Sequence, residues 1–182
     1  LTTILGGEIS VESRRGVGST FRVRLMLSEI GAPSVQGARG RRIAGYAAPR
    51  RTVLVTDDDP SHLNLARELL APLGFNLIFA SSGEAGLTAA EAGAPNMVMM
   101  DISMPGIGGW AAARAIRERA GDEVAILMVS ANAHDFSRTR REDDPHDDYL
   151  IKPYDMDELL ERIEVLLSLE WVLVDADAGA LA

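Results

Sequence analysis

Five short apolar runs mark the central and C-terminal parts of the chain: Thr52 to Thr56, Phe75 to Ala80, Met97 to Met100, Val124 to Val129 and Tyr149 to Ile151. Runs this short, with little polar alternation, are what strands covered on both faces require. The stretches between them carry apolar residues at helical spacing. Ser61 to Leu73 places Leu63, Ala66, Leu69, Leu70 and Leu73 on one side and stops before Gly74. Ser82 to Ala92 and Gly109 to Ala120 are alanine-rich with charged outer faces, and Asp155 to Leu169 puts Leu159, Ile163, Leu166 and Leu167 on one stripe. Strands alternating with helices predict an α/β fold, a doubly wound five-stranded parallel sheet over residues 52–169.

Polar residues stand at the carboxyl ends of four of these runs: Asp57 and Asp58, then Asp101, Ser130 and Lys152. In an open parallel sheet, ligands bind just outside the carboxyl ends of the strands, so these residues converge on one crevice. Three carboxylates in contact repel strongly at low effective dielectric, and an oxygen-only cluster suits a hard divalent cation, Mg²⁺. Lys152 and Ser130 add a positive charge and a hydroxyl. A metal alone needs neither, but a phosphoryl group, whose oxygens seek both metal and hydrogen-bond partners, needs both. The site therefore reads as a carboxylate that becomes phosphorylated, with Asp101 as the nucleophile.

Residues 52 to 169 resemble the receiver domain of two-component response regulators, through VLVTDDDP at 53–60, MVMMDISMPGIGG at 97–109, ILMVSANA at 126–133 and DYLIKPY at 148–154. Motifs, order and spacing agree together. The resemblance implies a flavodoxin-like receiver fold in which Asp101 accepts the phosphoryl group. Asp58 and Asp101 would ligate Mg²⁺ directly, Asp57 would act nearby through water, and the backbone carbonyl of Ser103 would be a further ligand. Lys152 would contact the phosphoryl group, and Ser130 would move toward it after transfer, leaving space for the ring of Tyr149. The Lys152–Pro153 peptide would be cis, a form that costs only about 0.5–1 kcal/mol before proline. Ser103 and Asn132 would tune the lifetime of the acyl phosphate.

By the same resemblance, the donor is a histidine kinase or a histidine phosphotransfer domain. Pairing of two receivers would use the face of the fourth and fifth helices. Residues 132–148 depart from the pattern, with arginines at 138, 140 and 141, acids from Glu142, and Asp144, Pro145 and His146 where the family carries a small-residue turn. The fourth helix is accordingly expected to be short or mobile.

The first 51 residues differ in charge. Nine arginines against three glutamates give 9 − 3, a net of +6, whereas the whole chain is at −9, which leaves −15 for the remainder. Such asymmetry marks segments of separate origin. Residues 5–27, LGGEISVESRRGVGSTFRVRLML, read as two strands joined by a Gly-rich turn. They resemble the last hairpin of the ATP-binding domain of sensor histidine kinases. The kinase's phosphorylated-histidine helix, its asparagine-bearing helix and its adenine-reading aspartate have no counterpart here, so no ATP binding is expected, and the chain reads as a fragment of a hybrid histidine kinase. Residues 28–51, rich in Gly, Ala, Pro and Arg, read as a flexible linker rather than a nucleic-acid contact, because no aromatic interleaving accompanies the arginines. Residues 170–182 form a tail that docks as an extra strand.

Composition narrows the alternatives. No run approaches the ~20 apolar residues that span a bilayer, and cysteine is absent, which fits a cytoplasmic location. His134 and His146 read as surface groups without metal-ligand spacing between them, and His62, at the start of the first helix, as a solvated residue rather than a phosphohistidine. The glycines at 106, 108 and 109 form a loop rather than a phosphate cradle, since no Lys-Ser or Lys-Thr follows. The leading reading is a phosphoacceptor receiver that is not an enzyme as this chain stands. The competing one is an interaction module that signals without phosphorylation; the presence of all five site residues, Asp57, Asp58, Asp101, Ser130 and Lys152, weighs against it.

Overall fold

The computed structural model describes residues 8–14, 18–24, 41–131 and 144–175. The chain divides into two compact units, Leu1–Ser34 and Val35–Ala182. In the first, β1 (Glu8–Arg14) and β2 (Gly18–Arg24) form an antiparallel pair with Glu8 opposite Arg24 and Arg14 opposite Gly18, the hairpin that the alternating pattern predicts.

The second unit begins with β3 (Arg41–Tyr46), followed by β4 (Thr52–Thr56), α1 (Pro60–Leu70), β5 (Asn76–Ala80), α2 (Gly83–Gly93), β6 (Met97–Asp101) and α3 (Gly108–Ala120). After these come β7 (Ala125–Ser130), β8 (Asp148–Ile151), α4 (Met156–Leu167) and β9 (Trp171–Asp175). The main sheet has the order β5-β4-β6-β7-β8, with every neighbour parallel. This is the doubly wound sheet that the sequence predicts. Because successive side chains of a strand point to opposite faces, each central strand feeds two cores. Val53, Val55, Met97, Met99, Leu127 and Val129 pack with Leu70, Leu159 and Ile163 on one face. Leu54, Val98, Met100, Ile126 and Met128 pack on the other with Ala112, Ala113 and Ile116. The small alanines of α3 let its backbone lie close to the sheet.

Local chemistry fixes where the helices start. Asp59 accepts a bond from the Ser61 N–H at 2.8 Å with Pro60 at the first helical turn, and Ser82 and Asp155 cap α2 and α4 in the same way. A 3₁₀ turn, Ala71–Leu73, follows α1 and ends at Gly74, whose φ of 94° favours glycine. The Lys152–Pro153 peptide is cis.

One segment differs from the sequence reading. Residues 41–46, assigned to a flexible linker, form β3 and pair antiparallel with β9, with Arg41 opposite Asp175 and Tyr46 opposite Trp171. The cause is an aromatic cluster. The Tyr46 ring stacks on Phe75 with centroids 4.6 Å apart, and Trp171 meets both rings edge-on at 6.3 and 6.4 Å. The Tyr46 hydroxyl also accepts a bond from the Arg51 N–H at 2.8 Å. Residues 132–143, which hold Asn132, His134 and the expected fourth helix, lie outside the described residues.

His146, read from the sequence as a surface group, packs against two rings: Trp110 at 5.3 Å and Tyr149 at 6.2 Å. The approach to β8 is held by Arg117, near the end of α3. Its guanidinium donates to the carbonyls of Pro145 (3.0 Å), Gly121 (2.6 Å) and Val124 (3.0 Å), and lies 2.6 Å from the carboxylate of Asp147. Asp147 in turn accepts from the Ile126 N–H at 2.7 Å. Hydrogen bonds thus do here what a small-residue turn would do by shape.

Removing this half-buried guanidinium takes the donor from three carbonyls and the counter-charge from Asp147, which keeps its bond from the Ile126 N–H. Arg117→Met should destabilise the domain by about 2–4 kcal/mol, whereas Arg119→Met, which breaks only the exposed pair with Glu91, should cost less than about 0.5 kcal/mol. Thermal melts of the two variants beside the wild type check this; equal losses would refute it.

Candidate functional site

Three strand ends bring the site together. Asp57 follows the last residue of β4, Asp101 is the last residue of β6, and Lys152 follows β8. Both carboxylates are buried, and the Lys152 ammonium bridges them, 2.7 Å from Asp57 Oδ2 and 2.7 Å from Asp101 Oδ1. Backbone donors fix the remaining oxygens: Asp57 Oδ1 accepts from the Asp59 N–H at 2.9 Å, and Asp101 Oδ2 from the Ser103 N–H at 2.8 Å. Gly109 is required beside this site, because a Cβ there would collide with the Asp101 carbonyl oxygen as α3 crosses the end of β6. Gly106 lies in the loop after Asp101, whereas Gly108 and Gly109, read from the sequence as part of that loop, are the first two residues of α3.

The other predicted residues fall around this centre. Ser130, the last residue of β7, is fully buried, and its carbonyl accepts from the Lys152 N–H at 2.7 Å. Tyr149 is buried on the opposite core from Leu150. Asp58 and Ser103 are exposed at the rim. Asn132 lies outside the described residues.

Two residues escaped the sequence reading. His62 Nδ1 lies 3.0 Å from both oxygens of Asp57 and 3.1 Å from Lys152 Nζ, with 43% of its side chain exposed. It was expected to be a solvated residue at a helix start. Its position could have signalled otherwise, since Asp59 caps α1 and the first turn of the helix carries residue 62 back over the end of β4. Tyr154 is the second, half-buried beside Lys152. Burial raises the pKa of its hydroxyl; the Lys152 charge opposes this, and those of Asp57 and Asp101 add to it.

Burial likewise acts to lower the pKa of the Lys152 ammonium. The hydrogen bonds to Asp101 and Asp57 and their negative charge together outweigh it, so the pKa is raised above the ordinary lysine value. A pKa raised by folding stabilises the fold fully below the unfolded-state value and loses that contribution as the pH climbs through the folded one.

The donor set suits a divalent cation. Asp57, Asp58 and Asp101 against one ammonium leave 3 − 1, two negative charges, and every candidate ligand atom is a carboxylate or carbonyl oxygen. Among the described residues no three acidic or histidine side chains already form a metal cage, because Lys152 stands between Asp57 and Asp101.

Comparison with known proteins agrees with this geometry. The response regulator receiver domain family matches residues 53–164. The chain belongs to this family. Among curated relatives, the receiver and its flanks are 32% identical to the sensor histidine kinase GacS of Pseudomonas protegens over 156 residues, covering 84% of this chain and 16% of that protein. They are 36% identical to the virulence sensor protein BvgS of Bordetella bronchiseptica over 176 residues, covering 90% of this chain and 14% of that protein. The chain thus spans a small part of the length of these relatives. Among solved structures, the response regulator TrrA of Thermotoga maritima, in complex with Mg²⁺ and BeF, is 33% identical with a TM-score of 0.59, over 64% of this chain and 99% of that one. The receiver domain of a Pseudomonas aeruginosa sensor histidine kinase, with a magnesium ion coordinated in its active-site cleft, is 26% identical with a TM-score of 0.59, over 65% and 98%.

Replacing the bridging lysine of this receiver leaves two buried carboxylates facing each other. Lys152→Met should lose about 3 kcal/mol at neutral pH. The wild type should in addition lose stability as the pH rises above about 10.4, a decline that is smaller in the variant. Urea unfolding of both proteins between neutral and alkaline pH measures each effect, and parallel pH profiles would rule out the assigned role of the ammonium.

Proposed function

We propose that this chain is the phosphoacceptor receiver of a two-component phosphorelay, taking a phosphoryl group onto Asp101 from a phosphohistidine of a histidine kinase or histidine phosphotransfer domain. The observation that carries this reading is the single ammonium of Lys152 held between two buried carboxylates at the carboxyl ends of parallel strands. A structural ion pair needs one acid. A second buried acid beside the first raises the free energy of the site and is retained where it has chemistry to perform.

In the transfer, an oxygen of Asp101 attacks phosphorus and the P–N bond of the donor imidazole breaks. The departing ring nitrogen keeps the bonding pair and takes up a proton. Lys152, 2.7 Å from the Asp101 oxygen, would contact the incoming phosphoryl group, and Ser130 and Tyr149 are the residues whose movement would carry the switch. Asp58, Asp101 and the Ser103 carbonyl would hold Mg²⁺, with Asp57 beside them. When bound, Mg²⁺ supplies neutralising charge to the phosphoryl oxygens. Ser103 and Asn132 are the positions proposed to tune the lifetime of the product.

Similarity to the sensor histidine kinase GacS and the virulence sensor protein BvgS supports a hybrid sensor-kinase context. In that context residues 1–27 are the end of an ATP-binding domain, 28–51 the connection, 52–169 the receiver and 170–182 a following segment. Among the described residues no helix is long and apolar enough to cross a membrane.

Intact mass after incubation with Mg²⁺ and acetyl phosphate tests the acceptor. One added phosphoryl group is expected on the wild type and none on Asp101→Asn. An unmodified wild type that nonetheless binds both Mg²⁺ and beryllofluoride would indicate rapid hydrolysis; one that binds Mg²⁺ but not beryllofluoride would favour an interaction module instead.

A further inference from the structure

Asp57 and Asp101 differ in how fully their oxygens are engaged. A carboxylate offers about four lone-pair positions. Among the described residues three donors share those of Asp57: Lys152 donates to Oδ2 at 2.7 Å, the Asp59 N–H to Oδ1 at 2.9 Å, and His62 Nδ1 straddles both oxygens at 3.0 Å. Asp101 accepts one bond on each oxygen among the described residues, from Lys152 and from the Ser103 N–H. A further ligand therefore meets a more open carboxylate at Asp101 than at Asp57, where the shared His62 contact covers both oxygens.

Of the three partners of Asp57, His62 is the one that can leave. The Asp59 N–H is fixed by the turn that caps α1, and Lys152 balances two buried charges. The imidazole stands on the first turn of α1 with nearly half its side chain exposed, so a rotation about its χ1 can carry it toward solvent. Nδ1 can serve a carboxylate only as a proton donor, and 3.1 Å away Lys152 Nζ donates to the same oxygen. Two donors side by side on one carboxylate form a contact that holds only while nothing stronger competes.

We propose that His62 is a positioning residue that caps Asp57 and competes with the divalent cation for it, so that the cation gains Asp57, directly or through its bound water, only when the imidazole swings out. This rests on the phosphoacceptor reading in one respect: that a divalent cation binds at Asp57, Asp58 and Asp101. It goes beyond that reading by giving the site a built-in competitor carried on α1, which keeps Asp57 satisfied in the absence of metal and lowers its availability.

The test is an NMR titration with MgCl₂ of the full chain, wild type, His62→Ala and His62→Gln, each first checked for an unchanged thermal melt. Removal of the charge-assisted contact in His62→Ala should lower the Kd for Mg²⁺ by about five- to tenfold. His62→Gln, whose amide can donate one bond, should fall between. In the wild type the imidazole carbon-bound proton signals of His62 should move with the same midpoint as the site's backbone signals, which requires no variant to fold. An unchanged or raised Kd in His62→Ala, or imidazole signals that stay still while Mg²⁺ binds, would overturn the competition and leave the phosphoacceptor reading intact. Absence of Mg²⁺ binding in all three proteins would overturn both.

Discussion

The ammonium of Lys152 between Asp57 and Asp101 is the contact on which this molecule is organised. Each of the three groups comes from the end of a different strand, and the site exists only if β4, β6 and β8 stop at the same level. Parallel pairing sets that level: Thr56 is level with Met100, Asp101 with Val129, and Ser130 with Ile151. A one-residue slip in any ladder would invert the strand's two faces and move its terminal charge away from the others. The apolar alternation that fills the two cores is thus also what brings the charges together.

Most of the sheet was legible because its strands are covered on both faces. Met97 to Met100 and Val124 to Val129 have no polar face, so a run of apolar residues was itself the signal, and the acids, serine and lysine at their ends marked the crevice. Three acids against one lysine at those ends point by charge alone to a divalent cation. The boundaries moved by a residue or two, as at Val124, which precedes β7, and at Phe75, which precedes β5 and packs on Tyr46.

What was hidden depends on partners distant in sequence. Nothing in Arg41–Tyr46 reads as a strand by itself, because only Ile43 and Tyr46 are strongly apolar there; the pairing exists because Trp171 arrives from the other end of the unit. Arg117 looked like one more charge on an exposed helix face, and only the fold brings Pro145 and Asp147 within its reach. His62 was missed for a different reason. Solvent exposure and contact with a buried acid are not exclusive on the first turn of a helix that starts over a strand end. A helical wheel records the exposure alone.

The antiparallel pair of β3 and β9 gives the receiver a particular mechanical character. Arg41 and Asp175 face each other at one end of the ribbon, and Tyr46 and Trp171 at the other. Tension that draws the chain before Arg41 and after Asp175 apart would therefore load the backbone bonds one at a time, peeling the ribbon open from that end instead of shearing all of it at once. The tear would travel inward only as far as the rings of Tyr46, Trp171 and Phe75, where dense packing takes over from single hydrogen bonds. Strain borne by the flanking chain would thus dissipate in a sacrificial strip before it reached the sheet that sets the charges.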